Sequence, residues 1–224
     1  VSKITTKDRI TKKAIELFNK NGFSAITLFE LAGALDMTRG NLTYHFKDKT
    51  ALLESIVDEF WLALEVEQNK TRMLPSFENM HNQIQLFYRF QTKYAFIFMD
   101  HHVLNHPSIK QKFNQAAKQG IKETEATIAF AISAGNMHPE PYEGIYKNLA
   151  YSTWMVSYYW INQQMLLGDK IDKSSAEGEL KIWSMLLPHL TKKGLRAFRR
   201  YFGDDYLKRL GKSLNTDIAE YVRF

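Results

Sequence analysis

The spacing of apolar residues constrains this chain most, because it follows a helical repeat almost from end to end. Residues 7–20 place Ile10, Ala14, Leu17 and Phe18 at i, i+4, i+7 and i+8, the stripe of a helix buried on one face. Few stretches alternate with the two-residue rhythm of a half-buried strand, and only five prolines interrupt 224 residues. The fold class that follows is all-α. Asn21-Gly22 offers the first helix a left-handed exit. Thr27 and Glu30 then form a T-x-x-E capping box for a second helix, which carries Leu31, Ala32 and Leu35 inward and stops near Asp36. A short third helix is expected over about 38–45. Asp48 is a good N-cap for a fourth, with Leu52, Leu53, Ile56, Phe60 and Leu64 on its stripe.

Pro75 closes the fourth helix and separates a small head from a larger body. The body is expected as helical segments near 77–104, 108–134, 142–167 and 175–187, punctuated at Pro107, "GNMHPEP" (135–141) and "GDK" (168–170). Pro188 and Gly194 set off a last basic stretch of one or two short helices. The resulting division is 1–50, 51–190 and 191–224, with helix four joining the first two. No internal repeat or low-complexity segment occurs.

Apolar residues at 45% and aromatics at 13% are ample for a packed core. The absence of cysteine removes both a disulfide framework and thiolate metal ligation. The opening "VSKITTKDRITKKAIELF" has no apolar signal region, and no run approaches the ~18 apolar residues of a membrane span. A cytoplasmic protein is therefore expected. Charge is uneven: residues 1–50 hold nine Lys/Arg against five Asp/Glu, residues 51–190 hold 12 against 15, and residues 191–224 hold nine against four. A positive head beside a slightly acidic body suits a phosphate-facing module.

Residues 27–46 concentrate the chemistry. Leu31, Ala32, Leu35, Met37 and Leu42 are the small apolar set that locks two short helices at a steep angle. Asp36 sits where the turn between them calls for a positive φ, which Asp tolerates better than most residues. This is helix-turn-helix spacing, in which the second helix enters the DNA major groove. Thr38 and Arg39 then lead into the groove, Gly40 removes a side chain that would meet the duplex, and Asn41 can read a base edge or a phosphate. Tyr44 and His45 follow with groups able to donate to phosphate oxygens. Lys47 and Lys49 add charge at the start of helix four, and Thr27 offers an anion site at the start of helix two.

On these residues the chain resembles the TetR/AcrR family of bacterial transcriptional repressors. The matching elements are "AIELF" (14–18), "NGF" (21–23), Thr27, "LA" (31–32), "MTRGNLTYHF" (37–46), Lys49 and "LL" (52–53), about the first quarter of the chain. Asp36 departs from the family's usual Gly, and Thr43, a further candidate DNA contact, stands where Tyr is frequent. The resemblance implies a homodimer on double-stranded, palindromic operator DNA, and a body that binds a small-molecule effector and dimerises through the helices near 142–167 and 175–187.

The body is compatible with both roles. "YSTWMVSYYWINQQML" (151–166) sets Trp154 and Tyr158 on one face and Tyr151, Met155 and Tyr159 on another. A bundle core and a partner subunit would cover the two faces; Trp183 and Leu187 join the expected dimer face. The second aromatic group (88–107) offers Phe90, Tyr94, Phe98 and His102, readable as plain core or as a pocket wall. His102 and His106 have the i, i+4 spacing of a metal pair, but Pro107 ends the helix there, and neither metal nor cofactor is expected. No nucleophile elbow, phosphate loop or E-x-x-H pair appears, so no catalytic residue is assigned. An all-α carrier or enzyme with a vestigial head is the competing reading. The basic tail reads as a fold-back extension, or as a segment lying on a membrane or a partner.

Overall fold

The computed structural model describes residues 4–70, 74–168, 176–211 and 213–214, and among them every regular element is helical. In the head, α1 (Thr6–Asn21), α2 (Leu28–Gly33) and α3 (Arg39–His45) precede the long α4 (Lys49–Lys70). The body holds α5 (Phe77–Lys93), α6 (Ala95–Met99), α7 (His101–Leu104), α8 (Pro107–Ser133), α9 (Ile145–Leu166) and α10 (Ala176–Leu186). A 3-10 turn (Leu187–His189) leads to α11 (Lys192–Phe202) and α12 (Asp204–Lys208).

Local chemistry fixes most helix starts. Thr5 with Asp8, and Thr27 with Glu30, form reciprocal capping boxes, while Thr38, Ser76 and Thr191 accept N–H groups from the first turns of α3, α5 and α11. The Ala51 N–H donates to Asp48 Oδ1 at 2.8 Å, as expected of that cap. Gly22 has φ 84° and ψ 150°, a glycine conformation but not the left-handed helical one.

The segment expected as one helix over 77–104 is broken twice. Asn19 of α1 reaches across and accepts the Phe96 N–H at 3.0 Å while donating to the Lys93 carbonyl at 2.9 Å. Those two groups are thereby partnered outside the helix, and the chain bends at Tyr94. Asp100 supplies the second break: it caps α7 through the His102 N–H and accepts the Phe23 N–H at 2.9 Å. His102 and His106 consequently lie in different elements, His102 in the four-residue α7 and His106 at the start of α8, not on one continuous helix.

One apolar core runs from the head into the body. It begins at Ile10, Ala14 and Phe18, continues through Leu31, Leu42 and Leu52, and follows α4 by way of Ile56, Phe60 and Leu64. Phe96 and Phe98 of α6, Ile109 of α8 and Ile161 of α9 complete it. A second core lies farther along the body, around Tyr88, Trp160, Trp183, Phe198 and Tyr206. Inside it, the Glu179 carboxylate is almost wholly buried and meets His81 Nδ1 at 2.6 Å, Gln85 Nε2 at 2.6 Å and Trp183 Nε1 at 2.8 Å. Three polar partners are what a carboxylate needs to sit in such a place.

The part of the basic extension that forms α11 and α12 folds back on the body; residues 215–224 lie outside the described residues. Phe198 of α11 is fully buried and packs edge-on against Trp183 and Phe77, with ring centroids 5.2 and 5.4 Å apart. Thr191 and Lys193 donate to the carbonyls of Gly135 and Ala134, both at 2.7 Å. Gly194 is required here, because an added Cβ would stand 2.0 Å from the Asn136 carbonyl oxygen. The apolar face of α11 is used inside the chain, which removes it as a membrane-lying surface.

Candidate nucleic-acid interface

In the helix-turn-helix, Leu31, Ala32 and Leu42 are buried between α2 and α3, and the turn is closed by Leu35 and Met37 N–H groups donating to the Ala32 carbonyl at 3.0 and 3.1 Å. Asp36 adopts φ 54°, the positive angle expected of that position. With Leu42 and Phe46 held inward, α3 turns Thr38, Arg39, Gly40, Asn41 and Tyr44 to solvent. Tyr44 is 86% exposed, and Thr43 and His45 are half-buried.

Two features of this face have no structural use among the described residues. Arg39 makes no ion pair or hydrogen bond among the described residues, although guanidinium groups readily find carboxylates. An added Cβ at Gly40 would meet only Thr38 Oγ1, at 4.0 Å, so the fold itself has room for a larger residue there. A glycine within a helix is unfavourable by about 0.5–1 kcal/mol relative to alanine. The open space it leaves faces outward.

Other expected contacts are engaged differently. The Thr27 hydroxyl accepts the Glu30 N–H and donates to Glu30 Oε2, and the Thr27 N–H is held by the same carboxylate at 2.7 Å. Those bonds hold the Glu30 carboxyl below its usual range, the backbone bond contributing most. Thr27 thus has no donor left over for a phosphate. Lys49 donates to the Phe23 carbonyl and lies over the Phe23 ring at 4.2 Å from its centroid. Burial pushes its ammonium pKa down, and the nearby carboxylates of Asp100 and Glu30 oppose the shift. It braces α4 against the α1–α2 turn, and the exposed cation at this end is Lys47. Thr43 donates its hydroxyl to the Gly40 carbonyl at 3.1 Å.

The structure adds neighbours that helical periodicity did not single out. Arg9 of α1 borders one shallow recess with Asp36 and Asn41, and Phe29 of α2 borders another with Thr27 and Arg39. Arg9 belongs to the polar face of a helix read for its apolar stripe, and Phe29 falls outside the inward set of α2.

In the body, Phe98, Trp154 and Tyr158 do come together, with ring centroids 6.2 Å apart for Phe98–Tyr158 and 5.1 Å for Trp154–Tyr158. Phe87 and Phe113 complete this cluster, and Trp61 packs on Phe113. Phe90 and Tyr94 instead pack on Phe60. His102 is exposed and lies outside the group. The indole N–H of Trp61 is buried without a hydrogen-bond partner among the described residues, and that of Trp154 is buried beside the Tyr158 hydroxyl. Burial raises the Tyr158 hydroxyl pKa, which the adjacent Trp154 indole offsets only in part.

On α9, Tyr151, Met155 and Tyr159 stand half exposed at four-residue intervals. Trp183 does not join them. It is 1% exposed, enclosed by Phe77, Phe198 and Phe202 of its own chain, and has no surface to offer a partner. Leu187 is half-buried against the second core. Among the described residues, no helix is long and apolar enough to cross a membrane.

Sequence and structure comparisons converge on one family. Residues 10–56 match the profile of bacterial regulatory proteins of the tetR family, and residues 59–198 match that of the TetR bacterial transcriptional repressors. The chain is 41% identical over 59 residues to the probable HTH-type transcriptional regulator YttP of Bacillus subtilis, a match covering 26% of this chain and 28% of that protein. It is 31% identical over 126 residues to the HTH-type transcriptional regulator QacR of Staphylococcus aureus, covering 51% of this chain and 64% of that one. These matches thus span less than two thirds of either relative. A TetR-family transcriptional regulator from Marinobacter aquaeolei shares the fold with a TM-score of 0.78, at 21% identity over 90% of this chain and 98% of the other. With its helix-turn-helix and most of its body matched, the chain belongs to the TetR family of bacterial transcriptional repressors.

Proposed function

We propose that the chain acts as a homodimeric, sequence-specific DNA-binding repressor in the cytoplasm, whose hold on a palindromic operator is changed by a small molecule bound in the helical body. The observation that carries this reading is the outward face of α3. Thr38, Arg39, Gly40 and Asn41 project from a helix anchored by Leu42, and the described residues make no use of Arg39 or of the space at Gly40. In this reading those residues face the major groove, while Tyr44, His45 and Lys47 meet phosphate oxygens. Residues 1–50 serve as the DNA-binding unit, 51–190 as the effector and dimer unit, and 191–224 as an extension of the body.

The dimer forms through the Tyr151, Met155 and Tyr159 stripe of α9, since an exposed apolar stripe of this length gains by meeting its own copy across a two-fold axis. The two α3 helices then enter successive major grooves about 34–36 Å apart. The effector sits among Phe98, Phe113, Trp154 and Tyr158, where the buried indole N–H of Trp61, without a hydrogen-bond partner among the described residues, offers a donor to a mainly aromatic guest. Two routes lead from there to the head: α4 itself, and the Asn19 and Asp100 contacts that tie α1 to α6 and α7. An effector favouring one body conformation shifts operator affinity by its differential affinity for the two states, typically about 1–3 kcal/mol.

Selection of bound sites from random duplex DNA with the purified protein tests the DNA reading. An enriched palindrome with half-sites one helical turn apart is the expected result; no enrichment at low salt, where phosphate contacts are strongest, overturns it. An effector that binds the body and leaves operator affinity unchanged overturns the switching part.

A further inference from the structure

Phe29 places an exposed phenyl ring on the head surface. It lies in the first turn of α2 and is 74% exposed, with no ring partner among the described residues. The nearby Ile26 and Leu28 turn inward to the head core, which leaves Phe29 as the exposed large apolar residue of the segment. Around the recess it borders are Ile26, Thr27, Leu28, Arg39 and Lys49. Of the polar groups there, Thr27 is committed to the Glu30 capping box and Lys49 to the Phe23 carbonyl. Arg39 alone of these stays free to meet DNA, and Leu28 and Phe29 supply apolar surface beside it. The first turn of α2 therefore brings a phenyl ring, not a phosphate donor, to the edge of the recognition helix.

On the major-groove edges of base pairs, the thymine C5-methyl is the apolar group that distinguishes one base from another. We propose that Phe29 is a specificity-determining residue that packs on a thymine methyl in each operator half-site, next to the base pair met by Arg39. This rests on the DNA-binding reading above. The ring loses water against the methyl only when thymine occupies that position, so the contact discriminates by sequence and adds no charge.

The test replaces each thymine of the selected operator in turn by deoxyuridine, which removes the methyl and keeps every hydrogen-bonding group. Equilibrium binding is then measured for the wild-type protein, Phe29→Ala and Phe29→Leu. At one thymine per half-site, the wild type is expected to weaken about three- to five-fold on methyl loss, the size of one buried methyl group. Phe29→Ala is expected to bind both duplexes equally, and Phe29→Leu to keep part of the preference. Because the ring is exposed, the melting temperature of Phe29→Ala should match the wild type, which separates lost contact from lost fold. The proposal is overturned if wild type and Phe29→Ala respond alike to every deoxyuridine, or if Phe29→Ala weakens operator and scrambled duplex by the same factor, the mark of a sugar or backbone contact. An operator without thymine in its half-sites also overturns it. Failure to select any operator sinks the DNA-binding reading itself and is seen before any substitution is made.

Discussion

Gly40 and Gly194 show how differently the head and the far end of the body use their surfaces. A Cβ at Gly40 would meet nothing closer than 4.0 Å, whereas one at Gly194 would stand 2.0 Å from a backbone oxygen. The second glycine is explained by the chain itself; the first, in the proposed reading, answers to the duplex. The same contrast extends to charge and aromatics. Arg39 has no ion pair or hydrogen bond and Phe29 no ring partner among the described residues, while α11 sinks Phe198 into a nest of rings and Lys193 donates to a backbone carbonyl. A surface kept for a partner leaves its residues unsatisfied, and a surface kept for folding does not.

Substitutions can break or sharpen this contrast. The largest effect is expected from Gly194→Ala, which drives a methyl into the Asn136 carbonyl and should destabilise the protein by about 3 kcal/mol or more, read by urea unfolding. Asn19→Ala comes next: it leaves the Phe96 N–H and the Lys93 carbonyl without their partner, a loss of about 1–3 kcal/mol. Faster hydrogen exchange at the Phe96 amide would localise that loss. Gly40→Ala should act in the opposite direction, raising stability by up to about 1 kcal/mol, since the fold has room and alanine favours a helix. Any fall in its operator affinity then reports on the duplex, not on folding. Smallest in stability is Lys47→Ala, expected within about 0.5 kcal/mol of wild type. Its signature is the salt dependence of operator binding, whose logarithmic slope should shrink by about two, roughly one for each subunit of the dimer.

The head was legible because its signals are local. A capping box needs residues three apart, and the Asp36 turn needs only the right residue between two short apolar sets, so Thr27, Glu30, Asp36 and Leu42 all declared themselves. The body was legible in its helices but not in its joints. The bend at Tyr94 is imposed by Asn19, 75 positions earlier, and no local pattern in 88–100 announces it. Trp183 failed as a dimer residue for a similar reason. The partner that covers it is Phe198 of the extension, and the periodicity of α10 gives one apolar face without saying which neighbour meets it. Lys49 and Thr27 teach a narrower lesson: polar residues at helix starts serve the fold first, and only those left over, such as Arg39 and Lys47, remain for a partner.

The central claim is that the exposed face of α3 is reserved for DNA, and Arg39→Ala tests it most directly when unfolding and operator binding are measured on the same sample. With no internal partner lost, stability should stay within about 0.5 kcal/mol of wild type. Operator affinity should fall by about ten-fold or more, the loss expected of a guanidinium contact to a base or a phosphate. Unchanged operator affinity, or a loss of affinity matched by a loss of stability, would contradict the account.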